Sequence, residues 1–148
     1  MKPSAVIDTN VVLDLTLFGE RAAGRLRDGI ESRQLAWIAT PAMRAELARV
    51  LAYPRLAARG AAQAAAALAW MDAHVLWHDS APYCGHRCRD ADDQPFADLA
   101  ARHGALLFSK DKALLALDRR LRERGSRVLT YTVWVPMENA PYVVQAQA

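Results

Sequence analysis

The chain has 148 residues, of which 53% are hydrophobic and 24% are charged, a composition typical of a globular protein with a full core. No apolar run is long enough to span a membrane, and Met1-Lys2-Pro3 lacks the apolar segment of a signal peptide, so we expect a cytoplasmic protein. The 19 Lys and Arg against 16 Asp and Glu give a net charge of +3, a mild excess compatible with a polyanionic partner.

Short apolar runs that end at turn-forming or polar residues predict five strands. They cover residues 5–7, 35–39, 74–78, 105–108 and 127 to about 130, with an extension of the last strand toward 135 left open. Apolar spacing, alanine content and capping residues predict the helices. These cover residues 10–18, 21–30, 41 to about 51, 61 to about 73, 92 or 93 to 103, and a last helix from 111.

Predicted strands alternate with predicted helices along nearly the whole chain. This alternation predicts an α/β fold with a mostly parallel central sheet of four to five strands and helices on both faces. In such sheets, the carboxyl ends of the strands share one edge, where ligands usually bind.

The two cysteines lie in the segment Cys84-Gly85-His86-Arg87-Cys88, with His78 nearby. Structural zinc sites usually combine two ligand pairs separated by a long gap, and no second pair follows here. We therefore favour a loop with two free thiols over a zinc site, and a disulfide is not expected in a cytoplasmic protein.

Four acids are predicted to meet at the carboxyl edge of the sheet. Asp8 and Asp111 follow the first and fourth predicted strands closely. Asp93 begins the helix that leads into the fourth strand, and Glu46 lies one turn into the helix after the second strand. Helices that follow or precede parallel strands begin at that same edge, so all four side chains should converge there.

Each acid also has a purely structural explanation. Asp8 and Asp93 could cap helices. Asp111 could be stabilised by the positive N-terminal end of a helix dipole, and Glu46 could pair with Arg49. Several carboxylates on one edge would nevertheless repel one another and raise their pKa values. A divalent cation relieves that repulsion, and a set of oxygen ligands suits Mg²⁺ or Mn²⁺ better than zinc.

Four motifs occur in order along the chain: Asp8-Thr9-Asn10, Glu46, Asp93 eleven residues before Gly104, and Ser109-Lys110-Asp111. In this order they resemble the PIN-domain family. The stretch 88–115 is especially similar to PIN proteins that are the toxins (VapC-like) of bacterial toxin–antitoxin pairs. The resemblance covers about residues 4–135, and we interpret 1–148 as a single PIN-like domain with a C-terminal tail.

The resemblance implies a three-layer α/β/α sandwich and a metal-dependent endoribonuclease that hydrolyses RNA phosphodiester bonds. It implies an acidic catalytic pocket made of Asp8, Glu46, Asp93 and Asp111. Of these, Asp8, Asp93 and Asp111 would hold Mg²⁺ (or Mn²⁺). Two further residues, Asn10 and Ser109, would support the pocket through hydrogen bonds. The partners it implies are an RNA substrate, a cognate antitoxin and a second copy of the chain in a homodimer.

The chain departs from the family pattern at two positions. Lys110 stands where the family often has a small residue, and Ala113 stands where a further acid is common. One-metal chemistry therefore stays open. So does an alternative function, a PIN-fold RNA-binding or regulatory module with a degraded, non-catalytic site. Asp92 is the reserve candidate for the third acid, and Asp14 is interpreted as a surface residue or minor support.

Overall fold

The structure is a computed structural model, and it describes residues 2–137 and 140–144. Five strands form the central sheet: Ser4–Ile7 (β1), Ala36–Ala39 (β2), Leu76–Trp77 (β3), Leu106–Phe108 (β4) and Arg127–Leu129 (β5). The α-helices are Thr9–Leu15 (α1), Gly24–Glu31 (α2), Pro41–Leu51 (α3), Pro54–Ala57 (α4), Ala61–His74 (α5), Gln94–His103 (α6), Lys112–Leu115 (α7) and Asp118–Leu121 (α8). A two-stranded antiparallel hairpin follows, made of Trp134–Met137 (β6) and Ala140–Val144 (β7).

The strand order in the sheet is β3-β2-β1-β4-β5, and every neighbouring pair is parallel. This confirms the predicted α/β fold with a mostly parallel central sheet. Because crossovers between parallel strands are right-handed in nearly all proteins, this strand order puts α1 to α5 on one face and α6 to α8 on the other. Because both faces are covered, β1 after Ser4 and the whole of β4 consist of buried apolar residues. No helix in the described ranges is both long and apolar enough to cross a membrane.

The side of β1 on which new strands are added changes after β3. The strands up to β3 are added on one side of β1, whereas β4 and β5 lie on its other side. Ile7 is paired with Phe108, and the Asp8 N–H donates to the Phe108 carbonyl at 3.0 Å. The residues just after β1 and β4 therefore meet at a topological switch point, where open α/β sheets bind their ligands.

Two helical segments differ from the prediction. The helix predicted over 10–18 ends at Leu15, because the Phe18 N–H closes a wide turn on the Leu13 carbonyl at 2.9 Å. The last predicted helix is interrupted after Leu115 and resumes as α8. Asp118, the first residue of α8, accepts hydrogen bonds on its carboxylate from Arg127 Nε and the Val128 N–H, which hold the start of α8 against β5.

The extension of the last strand toward 135 is wrong. The strand β5 ends at Leu129, and the chain then makes a 3₁₀ turn over Tyr131–Val133. The next strand, β6, pairs only with β7 and contributes a fully buried indole, that of Trp134. The short helix α4 was not predicted, although Pro54 occupies its first turn, where the fixed φ of proline favours helix entry.

The indole of Trp134 packs directly against Gly29 on α2. A Cβ at Gly29 would lie 2.5 Å from Cη2 and 2.9 Å from Cζ3 of this ring. We expect Gly29→Ala to lower the free energy of unfolding by about 1–3 kcal/mol, because the buried ring has no room to move. Urea denaturation measures this change.

Gly24 provides the matched control, because it begins the same helix and a Cβ there would meet nothing within 4 Å. Gly24→Ala should be neutral or stabilising by about 0.4–1 kcal/mol. Equal effects of the two substitutions would show that Trp134 does not occupy this position.

Candidate metal centre

Asp8 lies at the end of β1 and occupies the N-cap position of α1, but its side chain makes no capping hydrogen bond. It is buried, and its Oδ2 accepts a hydrogen bond from Ser109 Oγ at 2.8 Å. The same Ser109 oxygen accepts a hydrogen bond from the Asp111 N–H at 2.9 Å. A single buried hydroxyl therefore links the acids that follow β1 and β4, while Asp8 itself is not used as a helix cap.

Asp90, Asp93 and Asp111 form the acid cluster of this edge. One carboxylate oxygen from each residue lies within 4.8 Å of the others. Asp93 ends a 3₁₀ turn and stands at the N-cap of α6 without a capping hydrogen bond. The structure thus brings Asp93, and not the reserve candidate Asp92, to Asp111.

Asp90 was not among the predicted site residues. Its Oδ1 accepts a hydrogen bond from the Asp92 N–H at 3.0 Å, which closes the turn that carries Asp93. The signal in the sequence was the crowding of three aspartates over residues 90–93, which by itself does not say which of them face the sheet edge.

Glu46 is held by a residue that the sequence reasoning did not select. Its Oε2 accepts a hydrogen bond from the buried Thr9 Oγ1 at 2.5 Å, which ties α3 to the start of α1. The expected pairing with Arg49 also exists, at 3.8 Å between Arg49 Nη2 and Glu46 Oε1. Because the Arg49 side chain is 65% exposed, that pair contributes little, and Thr9 is the residue that orients Glu46.

The pKa values show that these acids share one electrostatic environment. Burial, followed by the charges of Asp8, Asp111 and Asp90, raises the pKa of Asp93 to about 7. Burial also raises the pKa of Asp8, an effect that the Ser109 hydrogen bond opposes and that Asp111 and Glu46 reinforce. Among the residues whose side chains are described, no Lys or Arg forms an ion pair with Asp8, Asp93 or Asp111.

The ammonium group of Lys110 forms an ion pair with Asp14, which lies outside the acid cluster. Its Nζ lies 2.6 Å from Oδ2 of Asp14, which also accepts a hydrogen bond from the Tyr131 hydroxyl at 2.8 Å. Asp14 is only 3% exposed, so its interpretation as a surface residue is wrong. No sequence pattern indicates this pairing, because Tyr131 and Lys110 lie far along the chain from the first helix.

Two other predicted site residues, Asp92 and Asn10, lie outside the acid cluster. Asp92 is exposed and lines a groove of ≈ 260 Å³ between α3 and α6, together with Glu46 and Arg49. Asn10 is exposed, and its side chain forms no hydrogen bond with the acids among the residues whose side chains are described. Its supporting role therefore stays a prediction.

The cysteines do not form a metal site with the described residues. Cys84 and Cys88 are both buried and free, and burial raises the pKa of each thiol. Within the described part of the chain, the grouping with metal-ligand geometry is the acid cluster. Packing against the interior explains these side chains without a metal.

The donor set of the acid cluster fits a hard divalent cation. It consists of carboxylate oxygens, and its members are half-buried or exposed and so can be reached from solvent. One oxygen of Asp111 accepts the Ala113 N–H at 2.7 Å, which leaves the other available. Oxygen donors with accumulated negative charge favour Mg²⁺ or Mn²⁺.

A comparison with protein families finds one that matches the chain. The model described as PIN domain matches residues 4–113, a range that includes Asp8, Glu46, Asp93 and Asp111. No curated protein matches the chain at a significant level.

The raised pKa of Asp93 makes the stability of the metal-free protein depend on pH. Since its folded pKa is about 7 and its ordinary value is 3.8, protonation favours the folded state, and this stability is lost as the pH rises through 7. In EDTA, we expect the Tm to fall as the pH rises from about 4 to about 7. Asp93→Asn should reduce that fall, as measured by thermal denaturation.

Glu123→Gln is the matched control, because Glu123 is exposed and precedes β5 at the opposite edge of the sheet. This variant should keep the wild-type fall in Tm. An identical pH dependence in the Asp93→Asn and wild-type proteins would contradict the electrostatic coupling.

Proposed function

The chain belongs to the PIN-domain family, and from this premise we propose that it is a metal-dependent endoribonuclease that hydrolyses RNA phosphodiester bonds. PIN domains are generally metal-dependent nucleases. The residues proposed to act are Asp8, Glu46, Asp93 and Asp111, all of which lie inside the range that matches the family.

The observation that carries the proposal is the uncompensated acid cluster at the switch point. Asp93 and Asp111 contribute carboxylate oxygens within 4.8 Å of each other, and the charge of Asp8 raises the pKa of Asp93. Repulsion between neighbouring carboxylates destabilises the folded protein unless a bound cation offsets their charge. A nuclease needs a cation at this place, because its substrate is a phosphodiester anion.

We propose that Asp8, Asp93 and Asp111 hold Mg²⁺ or Mn²⁺, with Asp90 adding negative charge beside them. When bound, the cation supplies Lewis-acid polarisation of the phosphodiester and lowers the pKa of the attacking water. Ser109 fixes the orientation of Asp8 through its 2.8 Å hydrogen bond, so the carboxylate keeps one oxygen turned away from the serine.

Glu46 is proposed to accept the proton of the attacking water. Thr9 donates a hydrogen bond to its Oε2, whereas Oε1 lies 3.8 Å from Nη2 of the largely exposed Arg49 and accepts no hydrogen bond from the residues whose side chains are described. A carboxylate with one oxygen fixed and one free suits a positioned proton acceptor. Lys110 does not neutralise this pocket, because its ammonium is bound to Asp14.

The alternative function, a non-catalytic RNA-binding or regulatory module, rested on Lys110 and Ala113. The pairing of Lys110 with Asp14 removes the first of these reasons. Ala113 remains as a missing acid, and it fits a site that works with one cation. We therefore favour the enzyme.

We infer further that the protein is the toxin of a toxin–antitoxin pair. The support is the similarity of the stretch 88–115 to PIN proteins of that kind. In this proposal, the partners are a cognate antitoxin and a second copy of the chain, and the protein acts in the cytoplasm. Fold and family alone do not fix such a role, so it depends on the test below.

Asp8→Asn should lower RNA cleavage by at least about 100-fold, because it removes a charged ligand while an amide oxygen can still accept the Ser109 hydrogen bond. Cleavage of a labelled RNA in Mn²⁺ measures the loss, and circular dichroism checks the fold. EDTA should abolish wild-type activity, and Glu123→Gln should leave it unchanged. Cleavage that survives both EDTA and Asp8→Asn would refute the proposed mechanism.

Expression of the chain alone should arrest growth of a bacterial host, and co-expression of the gene directly upstream should restore it. Asp8→Asn should make expression harmless. Growth curves after induction measure both effects. If expression of the wild-type chain left growth unaffected, the toxin role would be excluded. The cleavage assay would still decide the ribonuclease activity separately.

A further inference from the structure

We propose that a groove beside the acid cluster, formed by Tyr83, Arg87 and Arg89, binds an unpaired nucleotide of single-stranded RNA next to the scissile phosphate. This inference rests on the proposed ribonuclease function and names the part of the molecule that selects its substrate. We call it the Tyr83 groove.

The Tyr83 groove has a volume of ≈ 530 Å³, within the range of about 300–1,000 Å³ that is typical of small-molecule sites. It is lined by Tyr83, Arg87, Cys88, Arg89, Ala91 and Gln94. The Tyr83 side chain is 60% exposed, the largest exposed fraction among the large hydrophobic residues described. An exposed aromatic ring beside cationic side chains is the usual platform on which single-stranded nucleic acids stack a base.

The two arginines are free to bind phosphate. Arg87 and Arg89 are exposed, and neither forms an ion pair with another residue in the described part of the chain. By contrast, Arg44 and Arg127 each hold an aspartate at 2.7 Å and 2.9 Å. Guanidinium groups bind phosphate oxygens in a bidentate manner, and here they would offset the repulsion between RNA and the neighbouring acids.

The loop that carries these side chains is fastened to α6. The Cys88 N–H donates to Gln94 Oε1 at 2.7 Å, and Gln94 Nε2 donates to the His86 carbonyl at 3.0 Å. The Cys84 N–H donates to Asp98 Oδ1 at 3.0 Å. Asp98 is itself buried. These contacts order the loop before RNA arrives, which reduces the entropy lost on binding.

The Tyr83 groove adjoins the acid cluster directly. Arg89 is followed by Asp90, and Ala91, which lines the groove, begins the 3₁₀ turn that carries Asp93. The pKa of the Cys88 thiol is raised first by burial and then by the charges of Asp93, Asp111 and Asp90. A nucleotide in the groove would thus lie beside the phosphate at the metal centre.

A nucleotide explains all three side chains better than a protein segment does. An acidic peptide would use the arginines but would gain nothing specific from a planar ring. An apolar peptide would use the ring but not the two charges. Duplex RNA has its bases stacked within the helix, so it offers no free base face to Tyr83.

The test measures cleavage of a single-stranded RNA oligonucleotide in Mn²⁺. Tyr83→Leu should raise KM about 5- to 100-fold with kcat little changed, because a lost stacking contact weakens binding rather than chemistry. Tyr83→Trp should keep the wild-type KM, since it retains a stacking ring. Tyr53→Leu is the matched control, because Tyr53 is 51% exposed at the end of α3 away from the acids.

The arginines are tested by the salt dependence of RNA binding. Arg87→Ala and Arg89→Ala should each reduce the slope of log K against log salt by about 1, and the exposed Arg55→Ala should not. The same oligonucleotide annealed to its complement should respond much less to Tyr83→Leu.

The outcomes separate this inference from the proposed function. In one outcome, the wild-type protein cleaves RNA while Tyr83→Leu leaves KM unchanged and the arginine variants leave the salt slopes unchanged. That result would refute RNA binding in the Tyr83 groove and would not contradict the proposed ribonuclease function. If the wild-type protein does not cleave RNA, fluorescence anisotropy with the same oligonucleotide and variants tests the groove by binding alone. Weakened antitoxin binding in Tyr83→Leu with unchanged RNA binding would identify a protein-docking site and refute the proposal.

Discussion

The parallel pairing of β1 with β4 is the constraint on which the rest of the site depends. It sets Ile7 opposite Phe108, so the next residues along each strand, Asp8 and Ser109, are neighbours joined by a 2.8 Å hydrogen bond. The same serine receives the Asp111 N–H. A shift of one residue in this register would turn the Asp8 side chain to the opposite face of the sheet and break its contact with Ser109, because alternate residues face opposite sides of a sheet.

The acids at this edge repel one another, whereas two other acids of low exposure have cationic partners. Buried Asp14 is matched by Lys110 and Tyr131, and Asp118 is matched by two arginines. The acid cluster has no such partner among the described residues, and burial, followed by the charges of Asp8, Asp111 and Asp90, raises the pKa of Asp93 to about 7. Repulsion concentrated at a switch point, in a fold where other acids of low exposure do have partners, supports the proposal that this site binds a cation.

Much of this arrangement could be predicted from the sequence, because strand periodicity and helix-start residues define which ends share an edge. That reasoning assigned Asp8, Glu46, Asp93 and Asp111 to this edge, and their role as a site stays a prediction. It could not find Thr9 or Asp90, since their contacts depend on how α3 and the 3₁₀ turn are placed in space. It also missed the hairpin after β5, because the apolar pattern of a strand does not say which sheet the strand joins.

The most direct test of this account is a crystal of the wild-type protein soaked in millimolar Mn²⁺, with anomalous diffraction data measured at the manganese edge. The account predicts an anomalous peak in contact with carboxylate oxygens of Asp93 and Asp111, on the side facing Asp8, and the loss of that peak in Asp8→Asn. The absence of a peak at this edge, or a peak at Cys84 and His86 instead, would contradict it.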